Sequence, residues 1–270
     1  MTPTDTQFTG SVPQVYDALL VPLIFEQYAG DLAERVAAAK PRDVLETAAG
    51  TGVLTRAIAA RLSSSARIVA TDLNQPMLDL ATIRQPPGKS IEWRQADAMA
   101  LPFDDLQFDV VACQFGAMFF PDKVQAYRET HRVLKLGGHF IFDVWDRIAE
   151  NEFAAVVSDA LKTFFPSDPP DFMARTPHGY HDAEAIREHL RLAGFSSISV
   201  ETVGRVSKGR SPRDVAIAFC QGTPMKNEIA ARDPSQLEAA TQHAADALAR
   251  RFGDGAIEGR IGAHILTAVR

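Results

Sequence analysis

The chain has 270 residues with 28 basic and 34 acidic side chains, which gives a formal net charge of −6. A chain of this length is expected to form one large domain, or one domain with a sizeable insertion, and to bury enough surface to need neither disulfides nor a structural metal. A mildly acidic chain is a poor general binder of nucleic acid or of anionic membranes. The composition therefore favours a small molecule over nucleic acid as the partner.

The cysteine content and the hydropathy of the chain favour a location in the cytoplasm. Cys113 and Cys220 are too few for a four-thiolate zinc site and do not suggest a secreted disulfide scaffold. The chain opens on the polar run MTPTDTQFTG, and its longest apolar stretch, Val110–Phe120, is far shorter than a membrane span. We therefore expect a cytoplasmic protein with no metal and no membrane span. We take it to be a monomer or homodimer, a choice that the sequence does not decide.

Short β-rich runs alternate with helical stretches between Arg42 and Trp145. The predicted strands are Asp43–Glu46, Arg67–Asp72, Ile91–Gln95, Phe108–Gln114 and the run HFIFDVW. The predicted helices are the runs TRAIAARL, QPMLDLATI and KVQAYRETHRVL. We expect Gly137 and Gly138 to stop the third helix. Such alternation predicts an α/β fold, with a parallel sheet and helices on both faces.

The chain after Trp145 is less regular. Asp182 is placed to cap a helix that runs to about Ala193, and the run SSISVETVGRVS alternates like a strand. A capping oxygen precedes proline at three further helix starts, which are Ser211-Pro212, Thr223-Pro224 and Asp233-Pro234. The tail AHILTAV predicts a last strand, so a helical insertion separates the final two strands.

The segment VLETAAGTGVLT (Val44–Thr55) joins a predicted strand to a predicted helix through a loop of small residues. Gly50 and Gly52 let the backbone turn sharply and approach a ligand closely. The N-terminus of the following helix presents N–H groups that have no partner inside the helix. This arrangement is typical of a nucleotide site.

Two cofactors, NAD and S-adenosylmethionine, suit such a loop. The residues in and beside the loop distinguish between them. A dinucleotide site has the pattern G-x-G-x-x-G, but Thr55 stands at the third glycine. Glu46, at the end of the first strand, would repel a pyrophosphate. S-adenosylmethionine instead carries a sulfonium and an ammonium beside one carboxylate. Because the loop amides suit that carboxylate and Glu46 suits the ammonium, the sequence favours S-adenosylmethionine over NAD.

Acids that follow the next two strands agree with this interpretation. Asp72 ends the second strand about 20 residues after the glycines, where a carboxylate binds both ribose hydroxyls. Asp97 follows the third strand and is placed to accept from the adenine amino group, while the Ala98 N–H donates to the ring. Leu73 and Met77 are predicted to hold the adenine between them.

Four motifs follow one another along the chain: VLETAAGTG, IVATDLN, RQADAMALPFDDLQFDVV and YRETHRVLKLGGHFIFDVW. Together they resemble the class I S-adenosylmethionine-dependent methyltransferases, nearest to the branch of ubiquinone/menaquinone C-methyltransferases. The resemblance covers Arg42–Trp145, with weaker similarity in YHDAEAIREHLRLAGF. These motifs are specific for cofactor and fold and poorly specific for substrate.

The resemblance implies a Rossmann-like, mostly parallel sheet of seven strands with helices on both faces and a helical cap. It implies that Glu46 and the loop Ala48–Gly52 hold the methionine part of the cofactor. The backbone of Gln114–Phe115 would approach the methionine amino group, and Tyr16 is similar to an N-terminal tyrosine near the cofactor.

One departure from the family concerns the loop. The first loop glycine of the family is here Ala48, and Ala49 follows it. Alanine tolerates a tight turn less freely than glycine, so we expect slightly different loop geometry with binding retained.

We expect a single methyltransferase domain over residues 1–270. Its predicted parts are an N-terminal helical segment (1–40), a cofactor-binding core (41–146), two cap segments (147–195 and 211–259) and the last two strands (196–207 and 260–270). The cap segments are predicted to cover the cofactor site.

Methyl transfer from a sulfonium is a one-step, in-line displacement, so the protein mainly positions the acceptor and excludes water. A base is needed only if the acceptor arrives protonated. His178, Tyr180 and His181 are the candidate bases, although a turn before the helix at Asp182 explains them more simply.

The sequence therefore predicts S-adenosylmethionine-dependent methylation of a small molecule, with S-adenosylhomocysteine as the other product. The phenylalanines of the predicted cap, among them Phe164, Phe165 and Phe172, suggest an apolar or aromatic acceptor. Two alternatives stay open, an NAD-dependent oxidoreductase and a non-catalytic module that binds S-adenosylmethionine or its product.

Overall fold

One seven-stranded sheet organises the chain in the computed structural model, which describes residues 4–270. The strands are β1 (Asp43–Glu46), β2 (Arg67–Asp72), β3 (Ile91–Gln95), β4 (Phe108–Gln114), β5 (Leu134–Trp145), β6 (Ser197–Gly209) and β7 (Ile257–Val269). Their order across the sheet is β3-β2-β1-β4-β5-β7-β6. β1 is parallel to β2 and β4, β2 to β3, and β4 to β5. This confirms the predicted Rossmann-like, mostly parallel α/β fold.

Helices occupy most of the connections between the strands. They are α1 (Val12–Val15), α2 (Glu26–Ala38), α3 (Val53–Arg61), α4 (Gln75–Ile83), α5 (Lys123–Val133), α6 (Glu152–Phe164), α7 (Phe172–Arg175), α8 (Ala183–Leu192), α9 (Pro212–Gln221), α10 (Met225–Arg232) and α11 (Leu237–Phe252). A π-helical segment, Tyr16–Phe25, separates α1 from α2 and contains Pro22, which lacks the N–H of a regular helical bond. Within residues 4–270, every helix is too short or too polar to traverse a lipid bilayer.

The chain divides into two compact units. The first, here called the sheet unit, comprises Glu26–Val144, Tyr180–Val203 and Ala263–Arg270. The second, here called the accessory unit, comprises the residues up to Phe25 together with Trp145–Gly179 and Gly204–Gly262. The division into compact units does not test the predicted single methyltransferase domain or the boundaries of its segments, which stay predictions.

The core of the sheet unit consists of apolar strand residues. Val44, Leu45, Val110, Val111 and Phe140 are fully buried. Nearly continuous apolar runs are typical of parallel strands that are covered on both faces. These strands therefore form a rigid base for the loops at their carboxyl ends.

The accessory unit is mainly helical; α9 begins at the predicted Pro212 and α10 one residue after the predicted Pro224, whereas a 3₁₀ turn occupies the start predicted at Pro234. Ser211 caps α9 by accepting a hydrogen bond from the Asp214 N–H at 3.0 Å. Thr223 accepts from the Met225 N–H at 3.2 Å at the start of α10. α11 is preceded by the 3₁₀ turn Pro234–Gln236, in which Asp233 accepts from the Ser235 N–H. The capping oxygens therefore determine these helix starts.

The prediction that Gly137 and Gly138 stop a helix is wrong. α5 ends at Val133, because Leu134 is already extended and pairs with Phe108 of β4. The Gly137 N–H donates to the Arg270 carbonyl at 3.1 Å, and the Arg270 N–H donates to the Gly138 carbonyl at 3.0 Å. Gly137 and Gly138 of β5 thus both face one residue, Arg270, and Gly137 has a φ of +76°. The two glycines form a β-bulge, for which a left-handed first residue is typical.

Candidate cofactor site

Three buried acids lie toward the carboxyl ends of parallel strands in the sheet unit. Glu46 ends β1, Asp72 ends β2, and Asp143 is the third residue from the end of β5. Their exposed fractions are 1%, 7% and 0%. Because these strands belong to one parallel set, the acids lie along the same edge of the sheet. Carboxyl groups are therefore gathered at this edge, and a nearby cation would favour their ionised form.

The loop after β1 turns on three residues with left-handed backbone. Ala48, Gly50 and Gly52 have φ values of +53°, +56° and +79°. Residues with positive φ let the chain reverse its direction within a few bonds, which this tight loop requires. Ala48 adopts this conformation although it has a Cβ, so position 48 carries backbone strain.

Hydrogen bonds fix this loop onto the end of β2. The Ala49 N–H donates to the Thr71 carbonyl at 2.9 Å, and the Gly50 N–H donates to Asp72 Oδ2 at 2.8 Å. The Thr51 hydroxyl is buried and has no hydrogen-bond partner among residues 4–270. Most buried polar atoms in a folded protein have a partner, so this hydroxyl is free to bind a group of the cofactor.

Among residues 4–270, Glu46 has one side-chain hydrogen-bond donor, the Thr55 hydroxyl, at 2.5 Å from its Oε2. Burial raises the pKa of Glu46 to about 8, while the Thr55 hydroxyl and Arg56 act in the opposite direction and Asp72 raises it further. The sequence singled out Thr55 only as a missing glycine, and its role beside Glu46 was not anticipated.

Asp72 binds the loop as well as facing the predicted ribose position. Its Oδ2 accepts from the Gly50 N–H, and its Oδ1 accepts from the Asn74 N–H at 2.8 Å. Burial raises the pKa of Asp72, and these N–H donors partly offset that effect. The Asn74 side-chain amide is a third, longer donor at 3.5 Å from Oδ1. Since a carboxylate has about four acceptor positions, Asp72 keeps one for a ribose hydroxyl, and a second hydroxyl would replace the long bond.

The residues predicted to hold the adenine differ in exposure. Asp97 is half-buried, and its Oδ1 accepts from the Met99 N–H at 2.9 Å. Ala98 is also half-buried, next to Asp97. Leu73 is 49% exposed, whereas Met77 is only 3% exposed. The contacts of all these residues with adenine stay a prediction.

The end of β4 is closely packed against the loop after β1. Gln114 and Phe115 are buried, and the Phe115 ring lies edge-on to that of Tyr28 with centroids 5.4 Å apart. A Cβ placed on Gly116 would overlap the Cβ of Ala48. Backbone atoms of this turn and of the loop are therefore close neighbours, as a shared ligand site requires.

The candidate bases fall in both units. In the accessory unit, His178 Nδ1 lies 2.8 Å from the Asp146 carbonyl, so Nδ1 carries the proton and donates it. In the sheet unit, Tyr180 accepts from the Tyr127 hydroxyl at 3.3 Å and lies 2.8 Å from His189 Nδ1. Burial raises the pKa of Tyr180, so its hydroxyl is neutral and a weak base. His181 is half-buried.

Other predicted residues lie in the accessory unit. Tyr16 packs edge-on against Phe8, with ring centroids 6.0 Å apart, and its ring is tilted by 31° against that of Phe25 at 5.1 Å. Phe164 and Phe165 contact each other edge to face, and Phe172 is buried. The contact of Tyr16 with cofactor and of the phenylalanines with substrate stays a prediction.

Comparison with known proteins identifies the family. Residues 45–142 match a family described as a methyltransferase domain. A demethylmenaquinone methyltransferase of Lactobacillus johnsonii is 42% identical over 168 residues, which cover 58% of this chain and 68% of that protein. The chain belongs to the class I S-adenosylmethionine-dependent methyltransferases. Within that family it lies in the ubiquinone/menaquinone C-methyltransferase branch.

Two further similarities support this assignment. A ubiquinone/menaquinone biosynthesis C-methyltransferase of Idiomarina loihiensis is 30% identical over 181 residues, covering 59% of this chain and 68% of that protein. The solved structure of Haemonchus contortus phosphoethanolamine N-methyltransferase 2 with S-adenosyl-L-methionine has a TM-score of 0.62 at 16% identity and covers 100% of this chain and 60% of that one. The second similarity concerns the fold.

The enzyme uses S-adenosylmethionine and transfers its methyl group to a small-molecule acceptor. The residues present fit this cofactor. The loop after β1 offers the Thr51 hydroxyl, which has no hydrogen-bond partner among residues 4–270, to a carboxylate, and buried Glu46 offers a negative charge to the cationic groups once it is ionised. Neither NAD-dependent oxidation nor binding without catalysis is favoured.

Proposed function

We propose that this methyltransferase methylates a ring carbon of an apolar hydroxyaromatic acceptor of the reduced-quinone class. The observation that carries this proposal is the 42% identity to an enzyme named for its action on demethylmenaquinone. The phenylalanine-rich accessory unit and the acidic net charge of −6 also favour an apolar acceptor over a polyanionic one.

Binding of the cofactor is proposed to depend on the sheet unit. Glu46 and the loop Ala48–Gly52 hold the methionine part, with the main chain of Gln114–Phe115 near its amino group. Asp72 binds the ribose hydroxyls. The adenine lies at Asp97, Ala98, Leu73 and Met77, and Tyr16 belongs to the proposed set as well. When bound, the cofactor supplies an electrophilic methyl group on a sulfonium.

The protein contributes to methyl transfer mainly by positioning the acceptor and by excluding water from the site. The acceptor carbon forms its new bond as the carbon–sulfur bond breaks, the electron pair goes to sulfur, and the ring carbon then loses its proton. An acceptor that arrives as a phenolate needs no base before attack, and a site without water favours the cancellation of opposite charges. His178, Tyr180 and His181 remain the candidates for accepting a proton.

We further infer a cytoplasmic enzyme that is a monomer or homodimer and does not bind nucleic acid. Cys113 and Cys220 are both unpaired and buried, which suits a reducing compartment.

The proposal is tested by anaerobic incubation with S-adenosylmethionine carrying a deuterated methyl group. The acceptors are a prenylated 1,4-dihydroxynaphthalene, a simple phenol and a primary amine. We expect release of S-adenosylhomocysteine with the naphthalene compound and a label on its ring carbon. The variant Glu46→Gln is the matched control and should lose most turnover. A label found on oxygen or nitrogen alone would contradict the proposed acceptor while leaving the cofactor assignment intact.

A further inference from the structure

Asp143 is an acid inside the otherwise apolar run FIFDVW of β5. It is completely buried, and it faces Gln114 in the pairing of β4 with β5. Its Oδ1 accepts a hydrogen bond from the Phe115 N–H at 2.7 Å, whereas its Oδ2 has no partner among residues 4–270. Burying a carboxyl group with one unmet oxygen is costly, so a compensating role is expected.

The partner of Asp143 is a residue in an unfavourable conformation. Phe115 has a φ of +48°, which side chains with a Cβ rarely adopt. Gly116 follows, and a Cβ at that position would overlap both Ala48 Cβ and Cys113 Sγ. The turn Gln114–Gly116 is therefore tight, strained and in contact with the loop after β1, and strain of this kind persists only where neighbours enforce it.

Titratable groups from α2, β1 and β4 lie near Asp143. Asp31 of α2 and Glu46 of β1 both act on it with the same sign of charge, and Cys113 of β4 is a further titratable neighbour. Asp31 is itself paired with Arg35 at 2.7 Å. Burial and these acids raise the pKa of Asp143 well above its ordinary value. A neutral carboxyl still accepts from the Phe115 N–H through its carbonyl oxygen.

We propose that Asp143 is a positioning residue for cofactor binding, which holds the left-handed turn Gln114–Gly116 against the loop Ala48–Gly52. The inference rests on the proposed function, in which the main chain of Gln114–Phe115 lies at the methionine amino group. Asp143 does not need to touch the cofactor, because it sets the direction of backbone groups that do.

Binding of S-adenosylhomocysteine, measured by calorimetry, tests this role with two pairs of variants. Asp143→Asn keeps a carbonyl acceptor for the Phe115 N–H, whereas Asp143→Val removes it at similar size. We expect D143V to weaken binding about tenfold and D143N to weaken it no more than about threefold. The variant Val133→Ala, at a buried position at the end of α5, controls for lost stability and should bind normally.

A second pair isolates the backbone conformation. Both D143V/F115A and D143V/F115G lack the Phe115 ring, but only glycine adopts a positive φ without strain. We expect the glycine double variant to bind about fivefold more tightly than the alanine one. Equal binding by these two, or wild-type binding by D143V, would overturn the inference. Failure of the wild-type enzyme to bind at all would overturn the proposed cofactor site together with it.

Discussion

The Thr55 hydroxyl donates a hydrogen bond to the Glu46 carboxyl across 2.5 Å, and both side chains are buried. One residue ends β1 and the other lies in the first turn of α3, so this bond spans the loop that we propose to hold the methionine part of the cofactor. A single neutral donor leaves the remaining acceptor positions of Glu46 available to a cation. The pair therefore links the conformation of the loop to the charge that the cofactor meets.

Replacing Thr55 by valine removes this donor while keeping the shape of the side chain. Because the Thr55 hydroxyl lowers the pKa of Glu46, its loss should raise that pKa further. The free energy of unfolding should fall by about 1–3 kcal/mol, which is typical of a buried polar group that loses its partner. Urea denaturation measures the change, and Thr55→Ser serves as the control with the hydroxyl retained. A fully stable T55V would contradict the importance of the bond.

Cofactor affinity should depend on pH through Glu46. Its pKa of about 8 means that the unliganded enzyme holds the carboxyl protonated at neutral pH. A bound cation favours the ionised form, so binding releases a proton and affinity rises with pH until about pH 8. Calorimetry in two buffers of different ionisation enthalpy detects the released proton. Glu46→Gln should abolish this dependence, and a flat affinity profile in the wild type would rule the account out.

The free energy of unfolding of the unliganded protein should also depend on pH through Glu46. The pKa of Glu46 rises from 4.5 to about 8 on folding, so the folded state retains a proton that the unfolded state loses. Stability should therefore decrease as pH rises between these two values and level off above the higher one. The slope should be smaller in Glu46→Gln.

Asp72 is expected to contribute to binding through the ribose and through the loop. Asp72→Ala should weaken cofactor affinity by about 1–3 kcal/mol. Asp72→Asn can still accept from one of the two N–H groups that Asp72 now binds, so it separates the two roles. If the carboxylate binds ribose, the wild type should prefer S-adenosylhomocysteine over its 2′-deoxy analogue, and D72N should lose much of that preference. Equal discrimination by both proteins would remove the ribose assignment.

Ala48 and Gly116 should show coupled effects on stability. Ala48→Gly relieves a left-handed alanine and should stabilise the fold by about 1 kcal/mol. Gly116→Ala forces a Cβ onto that of Ala48 and should cost about 1–3 kcal/mol. The double variant should be more stable than the sum of the two effects predicts. In it the overlap with the Ala48 Cβ is gone and only the overlap with Cys113 Sγ remains. Strictly additive unfolding energies would show that the turn and the loop are not in contact.

The strands and the cofactor loop could be predicted because local pattern determines them. β1 to β4 have the bounds that their apolar runs indicated, and Asp182 caps α8 as expected. The glycines of β5 were misread because a glycine pair after a helical run usually ends the helix. Pairing between β4 and Leu134 ended the helix earlier, and pairing depends on distant residues.

Two features of the site depend on contacts that spacing alone does not reveal. Nothing in the sequence pairs Thr55 with Glu46, because their contact requires the loop between them to fold back. Asp143 did leave a signal, since an acid within the apolar run FIFDVW is unexpected in a buried strand. Its hydrogen bond to the Phe115 N–H depends on the turn after β4, which sequence periodicity does not specify.

A crystal structure of the enzyme with S-adenosylhomocysteine tests most directly whether acids at these strand ends bind the methyl donor. The account predicts the amino-acid part at Glu46 and the loop after β1, the ribose hydroxyls on Asp72 and the adenine beside Asp97. Adenosine bound away from these three carboxyl groups would contradict it.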